Sequence, residues 1–449
     1  MGKSNKYLKN DYKPMKPYPK YKPTNIDWIG DIPEHWSSRK VAWSFNLIGS
    51  GTTPKSDSDL YYENGKHNWL LTGDLTDGEI FETSKKVTDL ALKETSSLKK
   101  YPKNSIVMAM YGATIGKLGI LKIETTTNQA CCVLADSPYF DYKYVFYWML
   151  SSRESIINLS YGGGQPNINQ DIVKGLKLTY PPLPEQQAIV TYLDQKTALI
   201  DELIAKKERK IELLKENRTA LINHVVTKGL DPTVKYKDSG IEWIGEIPEH
   251  WNVLPLKYFS NITLGKMLTP EDKGDYMLKN YLRSQNIQNE KVNIEDVKQM
   301  WFSEKEIENY RLKKFDLLIN EGGDVGRTCI WLEELEECYI QNSVNRVKLK
   351  DGDPYFFLYH SISHHQNKYY ENSVNKVSIP HLTKEKLENI RFVYPPKVEQ
   401  QQIVKYLDAQ TNLIDQNISL ELQKIEKLKE YRQSLISNVV TGKICVLED

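Results

Sequence analysis

The feature that most constrains this chain is that it repeats itself. Trp28–Trp36 reads WIGDIPEHW, and Trp243–Trp251 reads WIGEIPEHW 215 residues later. PPLPEQQAIVTYLDQKTALID (181–201) returns as PPKVEQQQIVKYLDAQTNLID (395–415), and ALINHVVT (220–227) returns as SLISNVVT (434–441), both at an offset of 214. Matches of this length at one offset make the chain two copies of a single unit, each a globular part followed by a long helix. Between these anchors only sparse correspondences survive, such as YGATIGK (111–117) against EGGDVGR (321–327) and QPNI (165–168) against IPHL (379–382). A shared scaffold with divergent surfaces suits two halves that perform one physical task on different targets.

The globular parts read as mixed α/β. Short β-like runs, SIVMAMYG (105–112), LKLTYPP (176–182) and IRFVYPP (390–396), alternate with helical stretches such as KYVFYWMLSSRESII (143–157). Double prolines at 181–182 and 395–396 close each globular part, because the residue before a proline is pushed out of helical conformation. The expected order is a basic flexible leader (1–25), a first domain (26–182), a helix (183–229), a linker (230–242), a second domain (243–396) and a second helix (397–445).

Apolar residues in the helical segments recur at alternating gaps of three and four. The first set is Val190, Leu193, Ile200, Ile204, Ile211, Leu214, Leu221 and Val225; the second is Val404, Leu407, Ile414, Ile418, Ile425, Leu428, Leu435 and Val439. This is a coiled-coil seam. A helix from Glu185 to Thr227 would be roughly 65 Å long. Polar residues interrupt the seam at Thr197, Lys207 and Arg218, and at Thr411, Glu421 and Arg432. Antiparallel pairing within the chain would set Lys207 against Glu421, each Arg near the other helix's Thr, and the two globular parts at opposite ends. Lys207 and Glu421 then either fix register or carry their charges out to water.

Composition excludes several classes. No apolar run reaches the ~20 residues of a membrane helix, and the N-terminus has no signal-peptide core, which points to the cytoplasm. Five cysteines, Cys131, Cys132, Cys329, Cys338 and Cys445, show no paired CxxC spacing, so neither a disulfide framework nor a zinc site is expected. A net charge of +1 disfavours a lone high-affinity nucleic-acid binder. Residues 1–22, however, carry seven lysines against Asp11 alone, as a solvated leader or as a phosphate-binding arm.

The paired WIG(D/E)IPEHW segments, the PPxxEQQxIVxYLDxxTxxID helix starts and the VVT helix ends resemble the specificity subunit of type I restriction–modification enzymes along essentially the whole chain. The resemblance implies a fold of two target recognition domains separated by two long antiparallel coiled-coil helices. Each domain would read one half of an asymmetric bipartite site in double-stranded DNA. The helices would set the half-site spacing and dock two methyltransferase subunits, with restriction/translocase subunits joining them. Adenine methylation and cleavage, with S-adenosylmethionine, ATP and Mg, would belong to those partners. The alternative is a stand-alone DNA-binding or architectural protein with an interaction rod.

The residues carry no evident chemistry of their own. Tyr180-Pro181-Pro182-Leu183 and Tyr394-Pro395-Pro396-Lys397 lack the polar first residue of an adenine methyltransferase loop. Residues 112–118 (GATIGKL) are one residue short of a phosphate loop and lack its Ser/Thr. His360, His364 and His365 lack acidic or Cys partners at metal spacing and read as part of an aromatic-rich helix.

DNA reading needs two-pronged side chains for base edges and cations or amides for phosphates. Lys117 and Arg327 follow equivalent glycines, as phosphate contacts or as solvated cations on tight turns. Asn128 and Gln129 stand opposite Gln341 and Asn342; Gln165 and Asn167 match His381; Thr52, Thr53 and Lys55 match Lys266. Arg283, Ser284 and Gln285 complete the candidates, and together these loops are the expected reading face.

Overall fold

The computed structural model describes residues 16–160, 167–373 and 381–447. It divides into two compact units. The first is residues 1–206 with 423–449, and the second is residues 207–422. Each unit therefore holds one globular domain, the start of its own long helix and the end of the other copy's helix.

In the first unit a five-stranded sheet has the order Leu47–Gly49, Cys131–Ala135, Ile106–Ala109, Leu118–Leu121, Gly78–Ile80, antiparallel except for its last pair. The two middle strands that follow Leu47–Gly49 are wholly buried, which explains their continuous apolar sequences. One face packs on the helix Tyr142–Ser151 and on both long helices, through Trp148, Ile189, Leu193, Ile436 and Val440 among others. A three-stranded sheet, Thr126–Thr127, His67–Leu70 and Lys85–Val87, carries its own small core around Trp69.

The second unit repeats the plan with four strands, Ser260–Leu264, Val344–Leu349, Leu317–Asn320 and Thr328–Ile330, all antiparallel. Its helix Pro354–Gln366 occupies the place of Tyr142–Ser151, and Lys298–Phe302, Met277–Leu282 and Tyr339–Ile340 form its smaller sheet. Asp141 and Asp353 cap these helices by accepting from the amides of Lys143 and Tyr144, and of Tyr355 and Phe356. The runs LKLTYPP and IRFVYPP supply strands Lys177–Tyr180 and Arg391–Tyr394, each paired to the strand after its IPEHW motif.

The long helices are Leu183–Lys228, about 69 Å by its 46 residues, and Lys397–Val440. They run antiparallel inside each unit: Arg432 Nε lies 2.9 Å from Asp201 in the first, and Arg218 Nε lies 3.1 Å from Asp415 in the second. Each Arg thus pairs with an aspartate one turn beyond the expected Thr. Thr197 and Thr411 instead bond their own helix carbonyls, with Tyr147 and Tyr359 beside them. Lys207 Nζ is 2.8 Å and Lys210 Nζ 2.9 Å from the two oxygens of Glu421, whose side chain is 5% exposed.

The two strongest repeat motifs form one joint. Glu185 accepts from Trp36 Nε1 at 3.0 Å and Tyr18 Oη at 2.6 Å, and lies 2.8 Å from His35; Glu399 does the same with Trp251 and His250, both at 2.8 Å. The next residues, Gln186 and Gln400, accept from the amides of Asp141 and Asp353, the capping residues themselves. Sequence identity at these positions holds each domain to its helix.

Three boundaries differ from the sequence reading. Of the expected flexible leader, residues 1–15 lie outside the described residues, but Tyr21–Pro23 pairs with Asp31–Pro33 and Tyr18 is buried. The 230–242 linker likewise contains Tyr236–Asp238, paired with Glu246–Pro248, and the buried Ile241. Both are one hairpin, and KYK at 20–22 and 235–237 shows that the repeat begins upstream of the tryptophans. The second helix ends at Val440 rather than 445, because Gly442 turns the chain at φ +74 and Tyr21 Oη donates to its carbonyl.

Candidate nucleic-acid interface

Strand direction gathers the candidate loops. In the first unit, the end of Leu47–Gly49, the start of Cys131–Ala135 and the end of Ile106–Ala109 lie side by side because those strands are antiparallel. The loops that continue them are therefore neighbours at one sheet edge. Gly51 N donates to Thr127 Oγ1 at 2.9 Å, Thr53 Oγ1 donates to Gln129 Oε1 at 2.7 Å, and Thr52 O accepts from Trp69 Nε1. Ile168 N donates to Met110 O, and Tyr111 bridges Asn167, which brings the 167–170 segment to the same edge. Gln165 lies outside the described residues.

The second unit assembles its counterpart. Lys266 bridges Gln341, Asn342 N donates to Lys266 O, and Leu382 N donates to Glu321 O beside His381. Glycine is required where these loops cross. A Cβ on Gly51 would lie 1.7 Å from Thr127 O, and one on Gly265 would lie 2.3 Å from Gln341 O. Gly116 (φ +75) and Gly326 (φ +83) turn the hairpins that present Lys117 and Arg327.

The two edges use charge differently. Lys55 and Lys117 are exposed, and neither side chain bonds another among the described residues. In the second unit every candidate cation is tied to a carboxylate. Lys266, 7% exposed, sits 2.6 Å from Glu306 and over the rings of Tyr276 and Phe302. Arg283 reaches Asp296 at 2.5 Å, and Arg327 Nε reaches Asp324 at 2.6 Å. His365 takes the other oxygen of Asp324 at 2.7 Å. Burial opposes ionisation of Asp324, but His365 and Arg327 outweigh it and hold the carboxyl below its usual range. Burial likewise opposes ionisation of Glu306, and Lys266 with Ser303 reverses it. Burial raises Glu321, with His381 opposing.

Amides sit in the edge loops of both units and bond within them. Asn128 Oδ1 accepts from Ala130 N at 3.1 Å, and Gln341 Oε1 accepts from Ser343 Oγ at 2.5 Å while its Nε2 donates to Asn342 Oδ1. Gln285 is exposed. Sequence reasoning missed the partner carboxylates Glu306, Asp296 and Asp324, and a turn at Thr72–Gly73 that lies beside Asn128. The only signal for that turn was the faint register of residues 70–74 against 282–286.

His360 and His364 are buried in the domain core, where burial lowers His360 to about 3 and His364 well below its ordinary value. Val393 N donates to His360 Nε2 at 3.2 Å, and His364 Nε2 bonds Arg391 O at 3.0 Å. Among the described residues no cluster of three His, Cys, Asp or Glu side chains could hold a metal ion, and no helix is long and apolar enough to cross a membrane.

The family described as type I restriction modification DNA specificity domain matches residues 33–213 and 248–430, once per copy. This chain belongs to that family. It is 24% identical over 433 residues to the type I restriction enzyme MjaVIII specificity subunit of Methanocaldococcus jannaschii, covering 92% of this chain and 94% of that one. It is 23% identical to the EcoKI specificity subunit of Escherichia coli, covering 92% and 90%. Among solved structures it matches a chain from a study of complex assembly and conformational transition in a type I R-M system (TM-score 0.69, 14% identity, 92% and 99% covered). The HsdS subunit of Thermoanaerobacter tengcongensis gives a TM-score of 0.54 at 15% identity over 92% and 98% of the two chains. The likeness bears out the expected fold class: two mixed α/β domains with two long helices.

Proposed function

We propose that this chain is the DNA-reading specificity subunit of a type I restriction–modification system, with each unit reading one half of an asymmetric bipartite site. The observation that carries the reading is the division of labour within the repeat. The joint residues Glu185, Gln186, Glu399 and Gln400 keep the same bonds in both copies, whereas the loops gathered at each sheet edge keep their backbone crossings and change their side chains. Two readers on one scaffold with different side chains require two different half-sites.

On this reading the chain performs no catalysis, acts in the cytoplasm, and binds double-stranded DNA together with two methyltransferase subunits and restriction/translocase subunits. S-adenosylmethionine, ATP and Mg serve those partners. The paired helices act as spacer between half-sites and as docking segment, and Lys207 with Glu421 sets the helix register. Candidate DNA contacts are Lys55 and Lys117 to phosphates and the amides at 128–129, 285 and 341–342 to bases.

The test is expression with modification subunits followed by genome-wide mapping of methylated adenines. A single split motif with unlike halves is expected. Methylation without a bipartite motif, or tight site-specific binding by this chain alone, would overturn the reading.

A further inference from the structure

One turn occurs in both units with the same construction and different cargo. In the first, Leu71 N donates to Asp74 Oδ2 at 2.9 Å and Asp74 N donates back to Leu71 O at 3.0 Å. In the second, Arg283 N donates to Asn286 Oδ1 at 3.0 Å and Asn286 N to Arg283 O at 2.8 Å. Each turn is anchored by flanking core residues, Leu70 and Leu75 or Leu282 and Ile287. Each is also fastened to the loop before Cys131–Ala135 or Val344–Leu349, by Asn128 N to Leu70 O at 3.1 Å and by Gln341 N to Leu282 O at 3.0 Å. Ser284 N further donates to Ser343 Oγ at 3.0 Å.

The backbone platform is thus fixed twice over while its side chains vary. Asp74 and Asn286 close their turns, and Arg283, which stands where the first unit has Leu71, is held by Asp296. That leaves the pair of central residues free to differ outward. In the first unit they are Thr72 and Gly73; in the second, Ser284 and Gln285. Gln285 is exposed, and its side-chain amide bonds no other side chain among the described residues. A Cβ at Gly73 would meet nothing within 4 Å, so the first unit leaves the equivalent place empty although a side chain would fit.

Resting on the DNA-reading function above, we propose that Gln285 is a specificity-determining residue for the half-site read by the second unit, where its amide recognises the adenine of one A·T pair. A primary amide both donates and accepts, which matches the N6 donor and N7 acceptor of adenine in the major groove and no other base edge as well. A rigid turn presents it without the ordering cost of a loose loop. Position 73 in the first unit is the same station without a reading side chain.

The experiment uses the whole chain assembled with modification subunits, with methylated adenines mapped for the wild type, Gln285→Ala and Gly73→Gln. Gln285→Ala should relax one base position in one half-site, reducing discrimination there roughly ten- to hundredfold, and leave the other half-site unchanged. Gly73→Gln should add a preference at one position of the other half-site. If Gln285→Ala keeps the wild-type motif at every position, the assignment fails, although the split motif itself would still stand. Loss of all methylation by Gln285→Ala in a complex that still assembles and melts normally would also overturn it, since a one-pair reader cannot carry the whole site. A wild type with no split motif would instead overturn the function on which this rests.

Discussion

The two sheet edges share a backbone and differ in where their charges go. At the first, Lys55 and Lys117 point to solvent unpaired among the described residues. At the second, Lys266, Arg283 and Arg327 are each held by an acid of the same unit. The difference teaches that a cation in a candidate loop can be spent on folding, so equal sequence positions need not contribute equally to a ligand. The helix seam shows the same split: Lys207 and Glu421 occupy equivalent positions with opposite charges and bond each other.

The largest effect is expected at that seam. Removing the charge of Glu421 by mutation to Leu leaves Lys207 without its partner, and reversing it to Lys sets three cations together. Reversal should lower stability by about 3 kcal/mol or more, read from the thermal midpoint. Exchanging both charges recovers only part of this, because Lys210 would then face a like charge across the seam. Full recovery by the double exchange would mean that Lys210 contributes nothing.

Next comes Lys266→Ala, which removes a buried ammonium from over two aromatic rings and leaves the partly exposed Glu306 with its Ser303 bonds alone. It should cost about 2 kcal/mol, visible as faster hydrogen exchange in Lys298–Phe302 and Met277–Leu282. Lys55→Ala should stay within about 0.5 kcal/mol. Equal losses would erase the contrast between the edges.

A third contrast is acid sensitivity. The place of His360 in the second unit is taken in the first by Trp148, which donates to Thr179 Oγ1 at 3.0 Å. A histidine whose folded pKa is depressed binds fewer protons folded than unfolded. Its contribution is complete above the unfolded value near 6.5 and is lost as pH falls toward about 3. At pH 5 His360 alone should remove roughly 2 kcal/mol. His364 acts in the same direction, pressed down by burial, by His360 beside it and opposed by its bond to Arg391 O. Trp243, Tyr369, Tyr370 and Phe392 surround the pair, and the Arg391 carbonyl accepts from His364 Nε2. Hydrogen exchange at pH 5 should rise in the second domain and not in the first.

The smallest effect concerns binding. In the assembled complex Lys117→Ala should weaken binding to all sequences and flatten the salt slope by about 0.9. Arg327→Ala should alter the slope less, because Asp324 already neutralises that cation. Slopes that change equally would show that the Asp324 pair opens on DNA.

Repeats and periodicity made the helices, their antiparallel sense and the strands before the double prolines legible, because identical residues at one offset do identical structural work. The hairpins at 21–33 and 236–248 were missed because Tyr, Lys and Pro look like linker chemistry until cross-strand pairing is seen. The loop residues were legible as a region. Their charge state was not, since Glu306 and Asp296 lie 40 and 13 residues from their cations with no local pattern to mark them. Asp324, three residues before Arg327, pairs with it only because the glycine turn folds the loop back.

Glu185 and Glu399 have a mechanical consequence. Each carboxylate clamps an indole and an imidazole from the beginning of its domain onto the first turn of the helix that ends it, and the glutamine beside it grips a second helix cap. A border stitched at both chain ends of a domain has no free swivel. Whatever tilts a sheet edge must therefore turn the start of its helix with it, as a key turns its shaft.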